Sequence, residues 1–255
     1  MRTSTYSWGI RLLSLLVVLT AWELYGRSVN PILFTYPTAV AAAFVELVAK
    51  GELQRFLMQS LEVFAYGFVL AVVVGIPLGI FLARSATLSL ALEPYLHALY
   101  STPTVAFIPL IVLWFGFRVP AKVVIVFLFM VFPVLINTQQ GVKNLNQDLL
   151  EVARSFCSSE RRLWSDLIIP SALPFILAGV NLAIGRGLVG MIVAEFFTSV
   201  AGLGYMIVQY ANAFETAKLF VPIVVLMALG VTLIGLTKVI ERKVAPWQNR
   251  EQGEV

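Results

Sequence analysis

Two charges stand where a membrane-crossing chain can least easily hold them. Arg186 and Glu195 share one long apolar run, residues 172–197, and Arg186 sits between Gly185 and Gly187. An ionised side chain at the middle of a bilayer costs about 2.5–3.5 kcal/mol on insertion scales, so it finds a partner, meets water, or serves a solute. Nine residues of helix span ~13.5 Å and half a turn, so the two charges cannot pair with each other on one helix. Arg186 has two readings at this level. It lines a pathway and attracts an anionic solute, or it is half of a buried structural pair, with Glu23 or Asn181 of a second copy as the candidate partner. Glu195 lies nearer the outer end of its run and is expected to be partly hydrated. As coupling charges of a secondary transporter, Arg186 and Glu195 together make a further reading.

Other chemistries lack their residues. Cys157 is the sole cysteine and His97 the sole histidine. This excludes an internal disulfide and leaves no Cys or His ligand set. No Gly-x-x-x-x-Gly-Lys-Ser/Thr phosphate loop occurs, and no carboxylates cluster at ligand spacing. Catalytic, metal and cofactor-binding residues are therefore expected to be none, and the chain is not read as an enzyme. Without a dense Lys/Arg block, no nucleic acid partner is expected. Glu62, Glu93 and His97 fall near the ends of apolar runs and read as interfacial.

The elements that would position Arg186 and Glu195 are set by composition. Of 255 residues 59% are hydrophobic and 13% charged, with a mean hydropathy of +0.88, where a soluble domain carries about a quarter charged residues. The excess collects in runs near the ~20 residues a spanning helix needs. They are continuously apolar rather than alternating, which rejects a β-barrel. The expectation is an all-α membrane protein, a single polytopic domain over 1–255. Its six spans are expected at about 10–25, 60–82, 95–117, 121–138, 172–197 and 219–240. The first run ends in Trp22, Glu23, Leu24 and Tyr25 instead of a small-x-small cleavage site, so it reads as a retained helix and not a signal peptide. The segment 39–49 is too short to cross and fits an interfacial helix. Residues 84–94 read as a polar turn, and Gly67, Gly75 and Gly79 as close contacts between helices. Six spans put both termini on one side. Eleven Lys and Arg fall on that side and six on the other, which places both termini and the loop at 148–170 in the cytoplasm.

That loop, DLLEVARSFCSSERRLWSDLIIP, is the only long interruption that combines charge with helical patterning. Asp148 with Glu151 three residues on predicts a capped helix over 149–156. Ser158 or Ser159 can cap a second helix, whose Leu163, Trp164 and Leu167 make an apolar face. Pro170 is expected to stop it. Two short helices held at the membrane face have little of their own to bury against. They dock a soluble partner, or they rest on lipid headgroups. A membrane-anchored assembly protein, whose loop only recruits a partner, belongs to the first of these readings.

Glu151-Val152-Ala153, then Cys157, then Leu167-Ile168-Ile169-Pro170 resemble, at every spacing, the cytoplasmic signature loop of bacterial ABC importer permeases: Glu-Ala-Ala, three residues, Gly, nine residues, Ile-x-Leu-Pro. The segments 101–110, 113–116, 193–195 and 202–204 are similar to the nitrate, sulfonate and taurine branch, and the resemblance covers roughly 31–244. It implies a type I importer permease in the bacterial inner membrane, with a two-helix coupling loop of Glu151, Ala153, Cys157, Leu163, Trp164, Leu167 and Pro170. It also implies two cytoplasmic ATPase subunits that use the ATP, a second permease copy in a homodimer, and an external solute-binding protein. Solute would pass by alternating access. Cys157 departs from the family's glycine, and a non-glycine residue at positive φ costs about 1 kcal/mol or more.

Overall fold

In hydrocarbon a backbone amide must bond within its own segment or in a closed sheet, and here the apolar runs become helices. The computed structural model describes residues 2–198 and 201–244. In order these form α1 (Arg2–Ser28), α2 (Pro37–Ala49), α3 (Glu52–Arg84), α4 (Ala86–Ser101), a 3-10 turn (Thr104–Phe107), α5 (Ile108–Phe115) and α6 (Val119–Lys143). Then come α7 (Gln147–Ser155), α8 (Glu160–Arg162), a π-helical segment (Leu163–Ile168), α9 (Ile169–Thr198), α10 (Leu203–Asn212) and α11 (Thr216–Val244). No strand occurs among the described residues.

Among the described residues five helices are long and apolar enough to cross a membrane: Trp8–Ser28, Glu52–Arg84, Val119–Lys143, the continuous stretch Glu160–Thr198, and Thr216–Lys243. A sixth candidate is the pair Ala86–Ser101 and Thr104–Phe115, bent by 87° at the break between them. Here the structure corrects the sequence reading. Residues 84–94 are no polar turn. Ser85 caps α4, its Oγ accepting from the Leu88 amide at 3.3 Å, and Pro94 is carried inside the helix. The break comes at Thr102, which is extended at φ −70° and ψ 132° because Pro103 follows it. Gly116 ends α5 at φ +72°, a conformation that favours glycine.

The chain divides into two compact units, Met1–Ser60 with Ala201–Met227, and Leu61–Val200 with Ala228–Val255. In the first, α1 and α2 are strapped together. Trp22 Nε1 donates to the Thr35 carbonyl at 2.8 Å, and Glu23 accepts from the Thr38 amide at 3.1 Å, from its hydroxyl at 2.7 Å and from Arg27 at 2.7 Å. Gly26 permits this approach, since a Cβ there would lie 2.6 Å from the Thr35 oxygen. Hydrogen bonds from Lys50 and Lys218 hold the Glu46 carboxyl below the usual glutamate range. Burial, with a hydrogen bond to Glu52, pushes the Tyr210 hydroxyl above the usual tyrosine range.

In the second unit α6 is the central helix. Gly67, Gly75 and Gly79 of α3 abut Val126, Val134 and Thr138 on it, and Gly179, Gly187 and Gly190 of α9 abut Asn137, Met130 and Phe129. A Cβ on Gly79 would stand 2.7 Å from the Leu135 carbonyl oxygen. The glycines of the second apolar run are therefore packing contacts, as their spacing predicts. One end of α6 meets α5 in a cluster of Ile108, Ile111, Ala121, Ile125 and Ala194. Toward the other end, Lys143 pairs with Glu93 of α4 at 2.6 Å, and both Lys143 and Gln139 donate to Ser89.

Candidate functional site

Two places collect the residues singled out above, and both lie in the second unit. The first is the loop. The cap of α7 is Asn146 and not Asp148. The Asn146 side chain accepts from the Asp148 amide at 2.9 Å, and Asp148 occupies the first turn, where its charge opposes the positive helix end. At the far end the Ser158 amide donates to the Ala153 carbonyl and the Cys157 amide to the Arg154 carbonyl. These are the two hydrogen bonds of a Schellman stop, and Cys157 takes its left-handed position at φ +54°. The turn thus keeps the geometry a glycine would adopt and carries the strain of a side chain in it. Ser159, extended at φ −66° and ψ 151°, starts α8.

Pro170 does not end this second helix. The chain passes through Leu163–Ile168 in π form and runs on as α9, with the Ile169 amide bonded to the Trp164 carbonyl five residues back. One wide turn carries the ladder past a residue with no N–H to give. Loop and spanning helix are thereby one rod from Glu160 to Thr198.

Exposure within the loop also differs from the sequence pattern. Leu163 is buried, while Trp164, Leu167 and Pro170 are half-buried. Leu163, Trp164 and Ile168 line the chain's own groove of about 330 Å³ with Ala83, Val142 and Leu150. The Arg84 guanidinium lies 5.7 Å from the Trp164 ring centre. The apolar stripe left outward belongs to α7 instead: Leu149 is 49%, Val152 53% and Phe156 80% exposed. Glu151 is exposed beside it and Ala153 half-buried. The spacing of Leu149, Val152 and Phe156 was readable in the sequence, but which of two apolar faces the chain covers by itself was not.

The strain at Cys157 is directly testable. Cys157→Gly is expected to add about 1 kcal/mol to the closure of the α7 turn, read as slower amide exchange over 147–158. Cys157→Val is expected to speed that exchange. If glycine speeds it too, the thiol has contacts of its own.

The second place is Arg186. It is exposed on α9, and its guanidinium lies 4.6 Å from the centre of the Tyr100 ring. Within the chain Glu23 is engaged by Arg27 and Thr38, and Asn181 accepts from the Thr237 hydroxyl. Arg186 shares a cavity of about 180 Å³ with Tyr100, Thr104, Leu128, Phe129, Phe132 and Val189. Glu195 is not partly hydrated. It is fully buried, at 0% exposure, and its charge interacts with that of Lys122, itself 4% exposed at the start of α6. Arg186 and Glu195 therefore sit in different surroundings, one on a cavity and one in the core.

Comparison with known proteins gives the setting. Residues 75–246 match the family described as binding-protein-dependent transport system inner membrane component. A Bacillus subtilis (strain 168) protein named putative aliphatic sulfonates transport permease protein SsuC is 34% identical over 250 residues, covering 97% of this chain and 91% of the relative. The Escherichia coli (strain K12) taurine transport system permease protein TauC is 28% identical, over 94% and 90% of the two chains. Among solved structures, an inward-facing form of the MetNI methionine ABC transporter superposes with a TM-score of 0.59 at 17% identity, over 75% of this chain and 95% of that one. At that identity the likeness is one of fold.

Proposed function

This chain belongs to the family of inner-membrane components of binding-protein-dependent transport systems, in its nitrate, sulfonate and taurine branch, and from that premise we propose how its parts work. It is the permease subunit of an ATP-driven importer that passes a small anion, a sulfonate or nitrate-like solute, from an external binding protein to the cytoplasm. Two separate ATPase subunits hold and hydrolyse the ATP, so this chain needs no cofactor. A second copy completes the pathway as a symmetric dimer. Both termini and the α7–α8 loop face the cytoplasm.

The observation that carries the reading is the loop. Its α7 is capped by Asn146, locked by the Schellman turn at Cys157, and presents Leu149, Val152 and Phe156 outward. Leu163, Trp164, Leu167 and Pro170 brace the same unit against the chain and join it to α9 without a joint. Ala153 and Cys157 close the turn that ends the docking helix, and Glu151 stands exposed on it for the partner to meet. ATP-driven closure of the partners moves this rod, and their unequal affinity for the two membrane states supplies the shift between inward-open and outward-open forms. Arg186 serves the translocation path. Glu195, paired with Lys122, positions the helix that carries it.

Reconstitution tests this division of labour. The chain in proteoliposomes with its ATPase and binding protein is expected to import solute only with ATP, and one class of anion is expected to stimulate hydrolysis several-fold. Nucleotide binding by the isolated chain, or uptake driven by an ion gradient without ATP, overturns it.

A further inference from the structure

A guanidinium that faces acyl chains from a membrane-crossing helix is costly, so the exposed side of Arg186 is expected to meet water, protein or solute. What surrounds it is a small, two-sided cavity. Tyr100, at the end of α4, and Thr104, in the 3-10 turn, form one side. Leu128, Phe129 and Phe132 of α6 form an apolar side, and Val189 lies one turn from Arg186 on α9. The Tyr100 and Phe132 rings lie 6.3 Å apart.

Three features set this cavity apart from a structural charge site. Among the described residues no carboxylate pairs with Arg186, and its guanidinium carbon lies over the Tyr100 ring, 4.6 Å from the ring centre. Its N–H edge stays available for a bidentate bond to an oxyanion, the interaction for which an arginine fork is shaped. The cavity also sits at the break between α4 and α5, where the backbone turns by 87°. Non-helical backbone at membrane depth is tolerated where it is buried in protein or lines a water-filled cavity, and interrupted helices recur at solute sites of transporters. Finally, about 180 Å³ is below the ~300–1,000 Å³ of sites for drug-sized ligands, which selects a small solute.

We propose that Tyr100, Thr104 and Arg186 form a transit subsite that holds the oxyanion head of a small organic anion, a short alkyl sulfonate. Arg186 takes two of its oxygens and Thr104 donates its hydroxyl to a third. Tyr100 holds the guanidinium plane, and the short alkyl tail packs against Leu128, Phe129 and Val189. The proposal rests on the reading of this chain as the solute pathway.

The experiment uses the full chain assembled with its ATPase in lipid nanodiscs. Methanesulfonate and nitrate are the probes, chloride the reference at equal ionic strength, and thermal unfolding the readout. Wild type is expected to be stabilised saturably by methanesulfonate beyond chloride. Arg186→Gln is expected to abolish that response, and Arg186→Lys, which keeps charge without the fork, to raise the half-saturating concentration at least about ten-fold. Tyr100→Phe is expected to retain the response and Tyr100→Ala to weaken it, which keeps the test decisive if Arg186→Gln fails to assemble. A wild type that responds to methanesulfonate as to chloride, or Arg186→Lys and Tyr100→Ala variants that respond like wild type, overturns the subsite. Uptake into proteoliposomes separates the two levels. No import of nitrate, methanesulfonate or taurine by wild type removes the anion-importer reading itself. Import with an unchanged KM in Arg186→Lys removes only the subsite.

Discussion

Phe156→Ala is expected to lower ATP-driven uptake at least about 30-fold while the chain stays folded in the membrane. Phe156 is 80% exposed at the C-cap of α7 and continues the stripe of Leu149 and Val152, so its ring contributes almost nothing to the chain's own core. Aromatic anchors at the centre of an interface carry 2 kcal/mol or more, and ~2 kcal/mol is about 30-fold in affinity. The loop is also preordered by Asn146 and the Schellman turn, so little of the docking energy goes into ordering it. Leu163→Ala supplies the contrast. Leu163 is 4% exposed, so truncating it is expected to destabilise the chain itself, by about 2–5 kcal/mol. Titration of the purified ATPase onto the chain in nanodiscs reads the first effect, and thermal unfolding of the chain alone reads the second. Unchanged ATPase affinity and unchanged uptake in Phe156→Ala would mean that the α7 stripe rests on lipid headgroups instead.

The loop was legible in sequence where its information is local. The spacing from Glu151 to Pro170 survives into the structure as helix, left-handed turn and second helix, because each step is set by residues within five of one another. The cap was misread by two positions. Asp148 and Asn146 are both good N-caps, and nothing in the pattern chooses between them. Prolines mislead for a related reason. Pro94 and Pro103 look alike in sequence, yet only the second breaks its helix, and Pro170 is absorbed by a π turn whose wider register leaves no mark on composition. Properties that need a partner from another helix were not legible at all. Glu195 interacts with the charge of Lys122, which lies on α6, and the surroundings of Arg186 include Tyr100 of α4. Hydrophobic periodicity says which face of a helix is covered but not which helix covers it.

The burial of Glu195 leads to the other large expected effect. Glu195→Leu is expected to destabilise the chain by about 3–5 kcal/mol, because it removes the carboxylate whose charge faces that of Lys122 in a nearly closed site. Lys122→Met alone removes the other half of that interaction and is expected to cost a similar amount. Removing both charges with apolar residues of similar volume, Lys122→Met with Glu195→Leu, is expected to restore most of the lost stability, since a buried pair contributes little beyond its own desolvation cost. Thermal unfolding of the four proteins gives the coupling energy as a double-mutant cycle. Uptake by the double variant then decides what Glu195 does. Lys122 and Glu195 adjoin Ala121 and Ala194 in the cluster where α5, α6 and α9 meet, and Leu128 and Phe129, which pack against that cluster, also line the Arg186 cavity. If the double variant is stable and imports anion with a near-normal KM, Glu195 acts by holding α9 to α6. If it is stable and inactive, the carboxylate takes part in passage itself, and the pathway extends from Arg186 along α9 to its buried end.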